Sequence, residues 1–223
     1  DYGVGNLFSL QSSFAAIGAE AVVTADPAVI RAADRLLLPG VGAFADAAAK
    51  LRDSGMGALV TELAAAGKPI MGICLGMQMC VVEFARNVLG IADANSREMN
   101  EATPNNVIDI MEELKAHLSD TMRMGNFDCA LIEGSKLKEI YGANCIQERH
   151  HHRYELNNKY QEQLEAAGMK CVGINPDTKL VEAVEVAEHP WYIGVQYYPQ
   201  YNSTVLKPHP LFLAFIKAAI EGK

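Results

Sequence analysis

Cys74 stands in Gly72-Ile-Cys74-Leu-Gly76, where an apolar run over residues 69–73 gives way to a helical pattern over 75–87. The spacing glycine-x-nucleophile-x-glycine fits a strand-to-helix elbow. There the nucleophile sits on a strained backbone, and its neighbours are glycines because a Cβ would clash. The sulfur then projects above the sheet edge, and the first helical N–H groups point at any anion that forms beside it. This is chemistry for attack on a carbonyl carbon. A buried structural cysteine beside a glycine turn fits the same local pattern. The remaining cysteines, Cys80, Cys129, Cys145 and Cys171, have no such setting and read as packing residues. A second glycine-rich turn, PGVG at 39–42, closes an earlier strand. Ligands collect at the carboxyl ends of parallel strands, so Gly40 and Gly42 join Leu75 as candidate substrate contacts. The N–H groups of Gly42 and Leu75 would form an oxyanion hole; an ordinary strand-to-helix loop is the alternative.

The elements that must position these groups alternate in type. Residues 6–18 read as a helix with Leu7, Leu10, Phe14 and Ile17 on one face and Gly18 as its stop. Strands are expected at 20–24 and 35–38, helices at 45–54 and 57–66, a buried strand at 69–73 and a helix after it. This alternation predicts an α/β fold, a doubly wound, mostly parallel sheet with helices on both faces. Residues 90–120 are polar and turn-rich and read as a surface excursion, with a short helix at 109–118. A helix at 158–168, strands at 170–174, 180–185 and 192–196, and a closing helix at 208–220 complete the chain. There are no repeats and no linker, so a single domain over 1–223 is expected. DYGVGN at the front reads as the tip of a strand and its turn, with the body of that first strand cut away ahead of residue 1.

Composition narrows the function classes. Half of the 223 residues are hydrophobic and the formal net charge is −8. No basic stripe invites nucleic acid, and no apolar run is long enough to span a bilayer. Five cysteines, odd in number and without a C-x-x-C pair, fit reduced thiols in a cytoplasmic protein. No phosphate-cradling G-x-x-x-x-G-K-[ST] loop is present. Three consecutive histidines at 150–152 alternate faces on a strand, so they make a poor metal cage and read as a polar strand or loop. Neither a metal nor a cofactor is expected.

Together PGVGAF, GKPIMGICLGMQ and the late GVQ-x-x-P resemble class I glutamine amidotransferases over nearly the whole chain. The resemblance is split. Residues 1–78, with DYGVGNLFSLQSSFAAIGAE and LLLPGVGAF, look like the glutaminase subunit of imidazole glycerol phosphate synthase, from histidine biosynthesis. Residues 79–223, with VVEFARNVLGIADANSRE, TMRMG, ERHHHRYELNN and HPLFLAFIKAA, look like the glutaminase domain of CTP synthase. The switch falls in GICLGMQ, which both families share and at which a recombination or fusion would join two genes. The resemblance implies hydrolysis of glutamine to glutamate and ammonia through a thioester on Cys74. A synthase domain or subunit would accept the ammonia.

A thiol with an ordinary pKa of about 8.5 is only a few per cent thiolate at neutral pH. The family's histidine takes its proton and a glutamate orients that histidine, both from a late V-Q-x-H-P-E pattern. This chain reads Val195-Gln-Tyr-Tyr198-Pro-Gln200. Tyr198 is a protonated phenol at neutral pH and no ready base; Gln200 has the shape of glutamate without its charge. Catalysis is therefore expected to be lost, leaving a non-hydrolysing glutamine-binding or structural module as the alternative. His189 and His209 read as turn and helix-start residues rather than as replacement bases. For the substrate, the resemblance assigns Glu98 to the ammonium, Arg153 to the carboxylate and Gln78 to a contact beyond the elbow. Departures sit at His151, where the pattern usually has arginine, and at 118–120, which replace a glycine pair.

Overall fold

The computed structural model describes residues 6–40, 44–110 and 122–221. Five sequence expectations therefore lie outside it or across its edges: the strand tip at residues 1–5, Gly42, the turn at 41–43, most of the helix at 109–118 and the loop at 118–120.

Short apolar runs make the parallel centre of the sheet. Leu36–Leu38 (β1) pairs in parallel with Ile70–Ile73 (β2), and Tyr192–Val195 (β10) pairs in parallel with the other side of β2. Every residue of β2 is buried, as a strand covered on both faces must be. One face carries Leu75–Asn87 (α5) and Met56–Ala65 (α4), whose Met77, Val81, Leu59 and Leu63 enter the core. The opposite face carries Leu7–Ala15 (α1) and the closing helix Pro210–Glu221 (α8), which bring Leu10, Phe14, Phe212 and Phe215 against Ile193 and Val195. Pro27–Ala32 (α2) and Phe44–Asp53 (α3) complete the front half.

Beyond β10 the sheet turns antiparallel. Val181–Val186 (β9), Met169–Ile174 (β8), Arg123–Leu131 (β5) and Cys145–His152 (β6) follow in that spatial order. The α/β class and the helices on both faces are as expected; among the described residues parallel pairing in this sheet is confined to β1, β2 and β10. A tight turn explains one antiparallel step. Asn175 Oδ1 accepts the N–H groups of Asp177 and Thr178, Lys179 takes a left-handed φ of 62°, and β8 folds straight back as β9. Between β5 and β6, Lys136–Tyr141 (α6) is capped by Ser135 and closed by Gly142 at φ 64°.

A second sheet joins Asn95–Ser96 (β3), Asn106–Asp109 (β4) and Glu155–Leu156 (β7). Residues 106–109 were expected on a surface excursion, yet β4 is fully buried, with Val107 and Ile108 in the same core as α5. The helix expected at 158–168 is a 3-10 turn over Asn158–Tyr160 followed by Gln161–Ala166 (α7). The strand expected at 20–24 forms no ladder. A cavity of about 610 Å³, lined on one side by Val22 and Val23 and on the other by Leu36 and Leu37, lies between this segment and β1. Among the described residues no helix is long and apolar enough to cross a membrane.

The tightest approach in the fold lies under the elbow. A Cβ on Gly76 would sit 1.9 Å from the carbonyl oxygen of Leu38, and one on Gly40 would sit 2.4 Å from Leu75 Cβ. Neither neighbour is a flexible side-chain tip, so either substitution must separate α5 from β1. Gly57, inside α4, has ordinary contact distances of 3.5 Å and more. Gly76→Ala should therefore cost about 3 kcal/mol in urea unfolding. Gly57→Ala should be neutral or gain up to about 1 kcal/mol from helix propensity.

Candidate active site

The elbow forms as the sequence requires. Cys74 directly follows β2 with φ 52° and ψ −108°, a conformation that side chains rarely adopt, and is the N-cap of α5. Its N–H donates to Val195 O at 2.7 Å, which fastens the elbow to β10. A Cβ on Gly72 would lie 2.9 Å from the Met77 nitrogen. Both flanking glycines are thus required by space, and Gly40 proves to be a packing glycine beneath Leu75.

Three donors face the Cys74 sulfur. Tyr198 Oη donates at 3.0 Å, Gln196 Nε2 at 3.5 Å, and the Leu75 N–H points at it from the start of the helix. Cys74 is only 4% exposed. Burial pushes the thiol up to about 12; the three donors pull it down and the nearby Glu155 carboxylate pushes it further up. Burial, with the thiol beside it, also raises the Tyr198 phenol well above its ordinary value. At neutral pH both groups keep their protons. The phenol serves as a donor to sulfur, and about one thiol in 10⁵ is ionised. Among the described residues no histidine hydrogen-bonds to this sulfur. His189 Nε2 bonds the Ala64 carbonyl at 3.0 Å, and His209 Nε2 bonds Glu148 at 2.8 Å.

Tyr198 and Gln200 flank Pro199 at the 3-10 turn Pro199–Tyr201. Gln200 is buried, and its Oε1 has no hydrogen-bond donor among the described residues. Gln78 is buried one turn into α5 and reaches across the site: its Nε2 donates to Tyr154 O at 2.8 Å and to Gln196 Oε1 at 3.1 Å. Gln196, inside the late pattern but without a role from sequence, links Gln78 to the sulfur. Glu98, after β3, and Arg153, just before β7, converge on Tyr154. Burial raises the Tyr154 phenol, Glu98 raises it further, and Arg153 lowers it. Gln78 thereby ties the Cys74 side of the site, at the ends of β2 and β10, to Tyr154, just before β7 of the small sheet.

A buried ionic cluster that sequence reasoning missed joins the two sides. Arg123 Nη1 lies 3.0 Å from Glu155 of β7 and Nη2 lies 2.7 Å from Glu182 of β9, and all three side chains are fully buried. The guanidinium also stacks 4.4 Å from the Phe127 ring centroid. On β6 the three histidines alternate as expected, but His150 and His152 turn inward and bond each other at 2.8 Å beside the glutamates. Burial, together with Arg123, holds both imidazoles well below their ordinary range, so they are neutral. Burial raises Glu155 to about 8 and raises Glu182 as well, against the pull of Arg123. No group of three or more metal-ligating side chains occurs among the described residues.

The family model for glutamine amidotransferase class-I matches residues 1–218. CTP synthase of Bacteroides thetaiotaomicron is 63% identical over 157 residues, 70% of this chain and 29% of that protein. CTP synthase of Porphyromonas gingivalis is 54% identical over 157 residues, with the same coverage of each chain. The chain thus spans under a third of the length of these curated relatives. Among solved structures, the Trypanosoma brucei CTPS glutaminase domain with bound acivicin superposes with a TM-score of 0.76 at 28% identity. The match covers 96% of this chain and 88% of that one. A putative GMP synthase subunit from Thermoplasma acidophilum shares the fold, with a TM-score of 0.68 at 17% identity over 99% of this chain and 92% of that one.

The Arg123 cluster has a pH consequence. Glu155 holds a proton in the folded state that the unfolded chain releases near its ordinary 4.5, so its contribution to stability is complete below that value and is lost as pH rises through about 8. Below about 6.5 the neutral His150 and His152 act oppositely, because the unfolded chain binds protons that they refuse. Urea midpoints should therefore fall between pH 6.5 and 8, and Glu155→Gln should flatten that fall. An equal slope in the variant would remove Glu155 as its source.

Proposed function

The chain belongs to the glutamine amidotransferase class-I family, and on that premise we propose that it is a glutamine-binding domain of the CTP synthase type whose hydrolytic step is silent. The observation that carries this reading is the 3.0 Å contact between Tyr198 Oη and Cys74 Sγ. In a working site the thiolate attacks the glutamine side-chain carbon and ammonia leaves with the proton the base had taken. The thioester is then hydrolysed by water to glutamate. Each stage needs a group that accepts a proton near neutral pH and returns it. Tyr198 does neither, because its own proton is held more tightly than the thiol's, and Gln200 has no charge with which to steady an imidazolium.

The binding half of the site supports glutamine as the ligand. Glu98 suits an ammonium and Arg153 a carboxylate, in charge-assisted contacts at opposite ends of a zwitterion. Gln78 and Gln196 present amide groups between them and the sulfur. The Leu75 N–H would face the oxyanion, with Gly42 as its partner. The implied partner is a synthase domain that would accept ammonia from an active copy. A cytoplasmic setting follows from this reading.

The mixed front supports a second element of the proposal. Curated CTP synthases match 69–70% of the chain, while the family model runs from residue 1 to residue 218. This difference fits a front of about residues 1–78 taken from an imidazole glycerol phosphate synthase-type glutaminase and joined at GICLGMQ.

The test restores the base. Glutaminase activity of the chain should lie at least about 10³-fold below that of the double variant Tyr198→His with Gln200→Glu, read as ammonia release. The single variant Gln200→Glu should gain little. Calorimetry should detect glutamine binding by the unaltered chain without heat of turnover. Turnover by the unaltered chain equal to the double variant's would overturn silence, and no binding by either would overturn the glutamine reading.

A further inference from the structure

We propose that Glu148 is a positioning residue that fixes the segment 196–202, and with it the group at position 198, against the Cys74 sulfur. Glu148 lies on β6 between Gln147 and the exposed Arg149, and its carboxylate is turned inward and buried. It collects three donors from three separate parts of the chain. Tyr141 Oη, at the end of α6, donates to Oε1 at 2.8 Å, and His209 Nε2, just before α8, donates to the same oxygen at 2.8 Å. Asn202 Nδ2, which follows the 3-10 turn, donates to Oε2 at 2.7 Å. The imidazole orientation is set from behind. His209 Nδ1 accepts the Leu211 N–H at 3.3 Å, so Nε2 carries the proton that Glu148 accepts.

These contacts enclose the turn that bears position 198. On its entry side, Tyr197 Oη lies 3.1 Å from Tyr141 Oη and so is tied to Glu148 through one phenol. On its exit side, Asn202 bonds Glu148 directly. Farther on, His209 anchors the end of the loop, and its N–H donates to Ser203 Oγ at 3.3 Å. The backbone runs beside the same strand, with the Tyr198 N–H on Arg149 O at 2.9 Å and the Tyr198 hydroxyl 3.4 Å from His151 O. Within the segment Tyr197, Tyr198, Pro199 and Gln200 are buried, whereas beyond it the chain is weakly packed, with Val205 74% exposed and Leu206 97%. Apolar burial is non-directional, so the polar contacts set where the turn sits. A carboxylate suits this node because it only accepts, and all three of its neighbours donate.

The inference stands apart from the glutamine reading, since its readout is access to a thiol and needs no substrate. The rate of alkylation of Cys74 by iodoacetamide is measured by peptide mass mapping, with Cys171 as reference. Cys171 is buried in the other core cluster, so it reports global opening. Loss of the node should release the phenol from the sulfur. Glu148→Ala should raise the Cys74 rate relative to Cys171 by about tenfold, the equivalent of one hydrogen-bonded contact. Asn202→Ala, at an exposed site, should raise it by a smaller factor. Glu148→Gln should stay within about twofold of the parent, because its amide oxygen still accepts and Asn202 can turn its own oxygen toward the new N–H. Equal acceleration of Cys74 and Cys171 in Glu148→Ala would make the node a stability element only and overturn the proposal. If Glu148→Ala does not fold, Asn202→Ala decides: an unchanged Cys74 rate there overturns it.

Discussion

The start of α5 is pressed against β1 with no room for a methyl group, and the site is organised around that contact. Gly76 meets the Leu38 carbonyl, Gly40 meets Leu75, and Gly72 meets the Met77 nitrogen. With the helix held at this distance, the chain between β2 and α5 has a single residue in which to turn. That residue is Cys74, and its φ of 52° is the consequence. The strain is over-determined by its surroundings: the strand before it is buried on both faces, the helix after it is buried on most of its surface, and its own N–H is bonded to β10. The sulfur is therefore placed by backbone sterics alone, and its position does not depend on which residue stands at 198.

Protonation, by contrast, depends on that residue. Raising the thiol from an ordinary value to about 12 disfavours the thiolate by about 4 kcal/mol, and the cause is chiefly burial. A cationic neighbour would offset such a cost, because an imidazolium stabilises the thiolate it creates. A phenol offers one neutral hydrogen bond. Geometry and charge have become separable here. The site has the perch, the helix N–H and the amide bridge from Gln78 through Gln196, and the group beside the sulfur is a phenol that keeps its own proton at neutral pH.

Much of this was legible in the sequence because it follows from backbone sterics. Glycines at 72 and 76 around a cysteine, next to a buried strand, leave few alternatives, and the elbow appears where they place it. Tyr198 and Gln200 were readable as a phenol and an uncharged amide from the sequence alone, and the structure brings Tyr198 to the sulfur. The role of Gly40 was not, because a glycine that lines a ligand and one that lies under a leucine look the same in one dimension. The buried β4 was hidden by its polar flanks: residues 90–105 carry three Asn, two Glu and one Asp, and β4 is a run of only four residues. The strand expected at 20–24 failed for a different reason. Its pattern was sound, but a strand is defined by a ladder, and among the described residues it pairs with no strand, a cavity lying between it and β1. Arg123, Glu155, Glu182 and Glu148 were beyond reach, since charged residues are ordinarily solvated and nothing local marks those that will be buried.

Those buried charges explain how a pocket built on two sheets keeps its shape. The large sheet carries the sulfur, the small sheet carries Glu98 and Arg153, and apolar packing gives little directional control over how two such sheets meet. A guanidinium on β5, bonded to Glu182 of its own sheet and to Glu155 of the small one, does give it, since the Arg123–Glu155 bond fails if the two sheets slide. Glu148 acts in the same way on the third wall, the loop that brings position 198 to the sulfur. Buried ion pairs contribute little net stability once desolvation is counted, and here the unsatisfied second oxygens of Glu155 and Glu182 add to that cost. Their retention is better accounted for by registry than by stability. Two buried polar nodes, one around Arg123 and one around Glu148, tie the small sheet and the segment 196–202 to the large sheet.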